Sequence, residues 1–172
     1  MDFARVVTLV VDSLSEAGHP CAVIGGVSMA AYGMIRTTLD LDLVTVDAAR
    51  EHLVKYLESE GYETLHASSG YSNHLHRDPD LGRVDVVYVS GTTSLQMFAD
   101  LRSIDGPGGL RLPVLRPEHL AAMKVYAIRI DPSRKFRELE DIRYLLNLPG
   151  VNREEIRSYF EKNGLEAEYA GL

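Results

Sequence analysis

The sequence predicts an α+β fold, an α/β layer followed by a helical C-terminal third, on three observations. Apolar residues recur every three or four positions over 2–17, as in an amphipathic helix. Runs suited to strands follow at 39–46 and 83–89, the first alternating apolar with acidic residues, the second apolar but for one acid. From Pro117 onward only helical periodicity remains.

The elements follow in order. Phe3, Val6, Val7, Val10 and Leu14 form the apolar stripe of the first helix, which Gly18 ends. Cys21 to Ile24 is a short strand-like run that stops at Gly25-Gly26, and Val27 to Tyr32 then reads as a short helix closed by Gly33. The strand over 39–46 is followed by Asp47, a suitable N-cap for a helix over 48–59 with Leu53, Val54 and Leu57 inward. Two further strands are expected near 62–67 and 72–78, and Asp78-Pro79-Asp80-Leu81-Gly82 turns the chain into the strand at 83–89. Asp105 to Gly109 is another turn ahead of a short strand at 110–114. Pro117 suits the first turn of a helix over 117–130, which Pro132 breaks. A helix over 134–147 would turn Phe136, Leu139, Ile142 and Leu146 inward, and a last one covers 152–163. The division expected is a core over 1–114 and a helical segment over 115–172 packed on it.

Composition narrows the function. A chain of 172 residues with 45% apolar content can bury a sizeable core without staples. Its single cysteine, Cys21, excludes an internal disulfide and a multi-cysteine zinc site, and reads as a small buried apolar residue. The start Met1-Asp2-Phe3-Ala4-Arg5 lacks the basic region of a secretory signal, and no apolar run approaches the ~18 residues of a membrane span, so a cytoplasmic protein without a membrane partner is expected. The net charge of −7 argues against a broad surface that coats nucleic acid by neutralising phosphates, though not against a local patch.

The chemistry concentrates in 21–46. A Gly25-Gly26 turn between strand and helix lets a phosphate approach the backbone, and Ser28 can add a hydroxyl. Asp40 and Asp42, two apart on a strand, project from one face. Carboxylates held ~5 Å apart repel by roughly 3 kcal/mol at an effective dielectric of 20, which a cation between them relieves. Asp85 is the lone charge inside Val84-Asp85-Val86-Val87-Tyr88-Val89, and needs either a counterion such as Arg83 or Arg111, or a metal. If its strand lies beside 39–46, the three acids can hold two Mg²⁺ ions about 4 Å apart, the arrangement that clamps both oxygens of an in-line displacement. Elsewhere, Lys124 is either a surface lysine or a phosphate ligand, Asp141 a structural partner for Lys124 or Arg134, and Glu138 and Glu140 a wet helix face. His74 and His76 share a strand face and are expected to be solvated.

A Gly-Gly turn, thirteen residues, an Asp-x-Asp strand and a later strand Asp resemble the signature of the polymerase-β-type nucleotidyltransferase superfamily. The string Ile24-Gly25-Gly26-Val27-Ser28-Met29-Ala30, Tyr32-Gly33 and Arg36-Thr37-Thr38-Leu39-Asp40-Leu41-Asp42 is most similar to the AbiEii-like branch, which includes toxins paired with antitoxins. The stretch Arg116 to Lys124, with Arg134-Lys135 and Asp141-Ile142, resembles the helical segment of that branch. The resemblance implies the mixed nucleotidyltransferase sheet flanked by helices, and a magnesium-dependent transfer of a nucleoside monophosphate from an NTP to an acceptor hydroxyl. By the same carry-over, Gly25, Gly26 and Ser28 hold the triphosphate. Asp40, Asp42 and Asp85 bind two metal ions, with Asp85 helping to deprotonate the attacking hydroxyl. Lys124 and Arg36 neutralise the β- and γ-phosphates. The usual Gly-Ser is Gly-Gly here, and the Lys-Asp pair of the last motif is replaced by Lys135-Phe136 with Asp141 farther on. The acceptors implied are RNA, particularly a tRNA end, or a small molecule such as an aminoglycoside or lincosamide. A cognate antitoxin is the implied protein partner. A non-catalytic module that only binds nucleotide or partner is the reading from another class.

Overall fold

The computed structural model describes residues 1–35, 37–106 and 109–172. The chain divides into two compact units, 1–115 and 116–172.

Among the described residues the first unit is a seven-stranded mixed sheet with four α-helices. Its strands are β1 (Cys21–Val23), β2 (Asp40–Val46), β3 (Glu63–Ala67), β4 (Tyr71–Leu75), β5 (Arg83–Val89), β6 (Arg102–Asp105) and β7 (Arg111–Val114), in the spatial order β3-β4-β5-β2-β1-β7-β6. The helices are α1 (Phe3–Glu16), α2 (Gly25–Ala31), α3 (Arg50–Ser59) and α4 (Gly91–Ala99). β2 runs parallel to β5 and antiparallel to β1, so two strands distant in sequence meet at the centre.

Alternation along these strands separates two faces. Leu41 and Leu43 of β2 and Val84 and Val86 of β5 are buried in one cluster with Val6, Val10 and Leu14 of α1 and Leu53 and Leu57 of α3. The opposite register positions, Asp40 and Asp42 on β2 and Arg83 and Asp85 on β5, are only partly covered. The stripe expected for α1 is therefore the one that packs. Asp2 caps α1, its carboxylate accepting from the Arg5 amide.

Several local expectations need correction. Asp47 does not cap α3 but opens a 3-10 turn over Asp47–Ala49, where its carboxylate accepts from Arg50. Val54 is half-buried, while Leu53 and Leu57 form the inner edge. α2 starts at Gly25 itself, two residues before the expected Val27. α4 and β6 occupy a stretch where the sequence carried no clear period. The turn expected over Asp105 to Gly109 falls partly outside the described residues, and the Gly106 amide donates to the Leu110 carbonyl.

The second unit contains α5 (Pro117–Ile130), α6 (Lys135–Leu146), α7 (Arg153–Lys162) and α8 (Glu166–Tyr169). α5 has Pro117 in its first turn, as its missing amide hydrogen allows. Of the stripe read in the sequence of α6, Ile142 and Leu146 are buried and Leu139 is half-buried, but Phe136 is not. Phe136 is 87% exposed, whereas Glu138 and Asp141 are buried with Ile142 and Leu145.

Candidate active site

β2 and β5 pair in parallel with Asp42 beside Asp85 and Asp40 beside Arg83. Each strand sends alternate side chains to one face, so all four share it. Carboxylate oxygens of Asp40, Asp42 and Asp85 lie within 4.8 Å of one another, and no other such group of three potential ligands occurs among the described residues. Each ionised pair at that separation repels by roughly 3 kcal/mol at an effective dielectric of 20.

Neighbouring donors fix the carboxylates against this repulsion. Arg83 Nε donates to Asp85 Oδ1 at 2.8 Å and to Oδ2 at 3.0 Å. Asn73, opposite Asp85 on β4, donates to Oδ1 at 2.9 Å. The Thr38 hydroxyl donates to Asp40 Oδ1 at 2.8 Å. The hydrogen bond to Asp85 raises the Arg83 pKa above its ordinary value, and Asp85, Asp40 and Asp42 add to it through space against the desolvation of the guanidinium. Arg83 thus offsets part of the negative charge of the three carboxylates. Arg83 was foreseen as a counterion. Thr38 was legible from its i, i+2 spacing to Asp40, while Asn73 carries no local signal because its role depends on the register of β4.

The glycine turn closes on this cluster. The Ile24 amide donates to the Asp42 carbonyl at 2.9 Å. Gly25 has φ +63°, and a Cβ built there would sit 1.9 Å from Asp42 Oδ2. A Cβ on Gly26 would meet Thr38 Cβ at 2.7 Å. Both glycines therefore bring backbone to a distance that any side chain would prevent. Ser28 is fully buried, and its hydroxyl donates to the Gly25 carbonyl at 3.0 Å.

Lys124 belongs to the second unit, where it is buried on α5. Its Nζ donates to Glu138 Oε2 at 2.9 Å and Asp141 Oδ2 at 2.5 Å. Arg134 donates twice to Glu138 Oε1. Burial pushes the Glu138 pKa up, but Lys124 and Arg134 outweigh it and hold the carboxyl below its usual value. The expected Lys124–Asp141 pair is thus formed, whereas Glu138, expected on a wet face, is an inner member of it. Arg36 lies outside the described residues.

His74, expected to be solvated, is fully buried between Thr64, 3.2 Å from Nδ1, and Ser72, 2.8 Å from Nε2. It faces away from Asp85, because odd and even positions of β4 point to opposite sides. Cys21 is buried as expected, and its thiol is pushed up to about 12 by desolvation.

The model of one family, the nucleotidyl transferase AbiEii toxin of type IV toxin–antitoxin systems, matches residues 8–171. The chain belongs to this family. It is a nucleotidyltransferase. No individual curated protein matches its sequence. The fold is similar to that of the antibiotic-resistance factor ANT(2'')-Ia, with a TM-score of 0.68 and 16% identity over 100% of this chain and 96% of that one. An antigenic nucleotidyltransferase-like protein from Paracoccidioides brasiliensis gives a TM-score of 0.59 with 17% identity, covering 98% and 92%. The lincomycin-bound lincosamide adenylyltransferase LnuA gives 0.54 with 13% identity, covering 83% and 96%. These likenesses share the nucleotidyltransferase fold. No helix among the described residues of this nucleotidyltransferase is long and apolar enough to cross a membrane.

Proposed function

We propose that this nucleotidyltransferase moves a nucleoside monophosphate from a magnesium-bound NTP to a hydroxyl of an RNA acceptor, such as a tRNA end, in the cytoplasm and under the control of a cognate antitoxin. The observation that carries the chemistry is the convergence of the Asp40, Asp42 and Asp85 oxygens within 4.8 Å against the Gly25 turn. The type IV toxin–antitoxin family supports the antitoxin, and the RNA acceptor follows from the resemblance to the toxins of that branch.

The residues fit a hard divalent cation. The donors are carboxylate oxygens alone, the set that Mg²⁺ favours, and their net negative charge is what such an ion would relieve. When bound, the ions would polarise the α-phosphate and neutralise charge on the attacking and leaving oxygens. Asp40 and Asp42 would hold both ions, Asp85 the catalytic one. Hydrogen bonds from Arg83 and Asn73 fix the orientation of the Asp85 carboxylate. Asp85 would take the proton of the acceptor hydroxyl as its oxygen bonds to the α-phosphorus. The bond from that phosphorus to the bridging oxygen breaks, and pyrophosphate leaves with the electron pair. Gly25 and Gly26 would present backbone to the triphosphate, with Ser28 fixing the turn through the Gly25 carbonyl. By the family resemblance Arg36 would counter the β- and γ-phosphates, whereas Lys124 is already engaged by Glu138 and Asp141. Positioning and charge account for the rate in such transfers.

Incubation of the protein with α-labelled NTPs, Mg²⁺ and total RNA tests this reading. Label should enter RNA with the wild type and not with Asp40→Ala. Absence of labelled RNA with every NTP would remove RNA as acceptor. A second reading, a small cationic acceptor, draws on the net charge of −7 and on the likeness along nearly both whole chains to ANT(2'')-Ia, whose complex with adenylyl-2''-tobramycin is known. Labelled tobramycin in place of RNA would establish it.

A further inference from the structure

The acid cluster is one end of a row that crosses four strands. His66 on β3 pairs with Asn73 on β4, Asn73 with Asp85 on β5, and Asp85 with Asp42 on β2. The Asp42 end meets the Gly25 turn, where the triphosphate is placed above, so the acceptor approaches from the other end. There His66 and Tyr71 stack, with ring centroids 4.5 Å apart and planes 20° from parallel. Both are exposed, Tyr71 by 48%, and Leu75, 43% exposed, shares their face two strand positions beyond Asn73. Tyr71 is the diagonal cross-strand neighbour of Asp85, at a Cα separation of about 7–8 Å. Its ring therefore stands one step from the carboxylate to which the acceptor hydroxyl must come.

We propose that the stacked His66 and Tyr71 form the acceptor platform, on which the terminal base of a single-stranded RNA stacks while its ribose hydroxyl faces Asp85. This rests on the RNA reading of the same site and names the residues that would select it. A pre-stacked aromatic pair offers a planar surface whose ordering cost is already met. Stacking also answers the charge problem. A chain of net charge −7 gains little from tracking phosphates, but base stacking requires no positive surface. Arg83, on the same face opposite Leu75 and 45% exposed, is the cation that a terminal phosphate would meet.

The test uses a fluorescein-labelled single-stranded oligoribonucleotide and the full chain without NTP or Mg²⁺, read by fluorescence anisotropy. Tyr71→Ala should weaken binding about tenfold, within the range of base–aromatic stacking, and Tyr71→Phe should leave it unchanged. His66→Ala, at an exposed position, should weaken it as well. The logarithm of the binding constant should fall with the logarithm of salt at a slope of about −1, as for one or two phosphates. Asp40→Ala should bind the oligonucleotide normally while losing Mg²⁺-dependent nucleotide binding. Tyr71-dependent RNA binding without nucleotide transfer would uphold the platform and refute the catalytic reading alone. The platform is overturned if the wild type binds no oligonucleotide, if Tyr71→Ala and His66→Ala bind as the wild type does, or if tobramycin rather than RNA binds in a Tyr71-dependent way.

Discussion

Replacing Gly25 with alanine should disable the site before it unfolds the protein. Two costs combine at this position. The left-handed backbone, φ +63°, costs a residue with a Cβ roughly 1–2 kcal/mol. The new methyl would also lie 1.9 Å from Asp42 Oδ2, so the carboxylate must swing away or the turn must lift. Gly91 separates the two costs, because it has the same φ of +63° and nothing within 4 Å of its Cβ position. For a protein of this size 1 kcal/mol moves Tm by about 2–4 °C, so Gly91→Ala should lose roughly 2–8 °C and Gly25→Ala at least as much. The decisive measurement is the rise in Tm on adding Mg²⁺ with a non-hydrolysable NTP. At a hundred times Kd the ligand stabilises the wild type by about 2.7 kcal/mol, or roughly 5–11 °C. Gly91→Ala should keep that rise and Gly25→Ala should lose it. A full ligand-induced rise in Gly25→Ala would show that the turn and Asp42 do not form a common site, and the reasoning from their contact would fail.

Four further outcomes follow from the structure. Lys124→Met leaves Glu138 and Asp141 buried without their shared cation, a loss of about 3–5 kcal/mol that should lower Tm by roughly 10 °C in differential scanning calorimetry, with partial recovery on adding Glu138→Gln and Asp141→Asn. Because the folded Glu138 pKa lies below its unfolded value, its contribution is present above that unfolded value and should be lost as pH falls through the folded one, a dependence Glu138→Gln removes in urea titrations. Burial holds the His74 pKa below its ordinary value, so the unfolded chain binds the extra proton first. Stability should therefore fall as pH drops below about 6.5, by up to ~1.4 kcal/mol per pH unit, and His74→Gln should flatten that slope in the same titrations. Asn73→Ala removes one donor from Asp85 and should lower kcat about tenfold or more while leaving KM for the NTP near its original value, because the residue orients a carboxylate and does not hold the nucleotide.

What the sequence disclosed was whatever is encoded locally. The stripe of α1, the Asp-x-Asp strand, the lone Asp85 and the proline at the start of α5 each follow from spacing within one element, and each stands in the structure where the spacing put it. The convergence of Asp85 with Asp42 needed one assumption, that β5 lies beside β2, and the observed register meets it. What stayed hidden depended on partners elsewhere in the chain. Phe136 reads as an inner residue because Leu139 and Ile142 follow at helical spacing. Ile142 and Leu146 do face inward, but Glu138, Asp141 and Leu145 join them in place of Phe136, the two acids held there by the buried Lys124. His74 reads as solvated until the Thr64 and Ser72 hydroxyls are seen to engage both ring nitrogens, with Tyr88 bonded to Ser72 beyond. α4 and β6 have neither a clear period nor strong caps, and no local signal distinguishes them from a loop.

The hydroxyls around His74 also fix a direction. Glu58 can only accept, so the Thr64 hydroxyl donates to it. Thr64 must then accept from His74 Nδ1, which makes Nε2 the acceptor of the Ser72 hydroxyl, and Ser72 in turn accepts from Tyr88. Each bond in the chain requires the neutral imidazole with its hydrogen on Nδ1. Protonating Nε2 would make it a donor to Ser72 and leave either the Ser72 or the Tyr88 hydroxyl hydrogen in need of a new acceptor. Directly across the strand lies Asn73, whose amide holds Asp85. The inner face of β4 thus carries a single hydrogen-bond arrangement, while its outer face carries the Asn73 amide that holds Asp85.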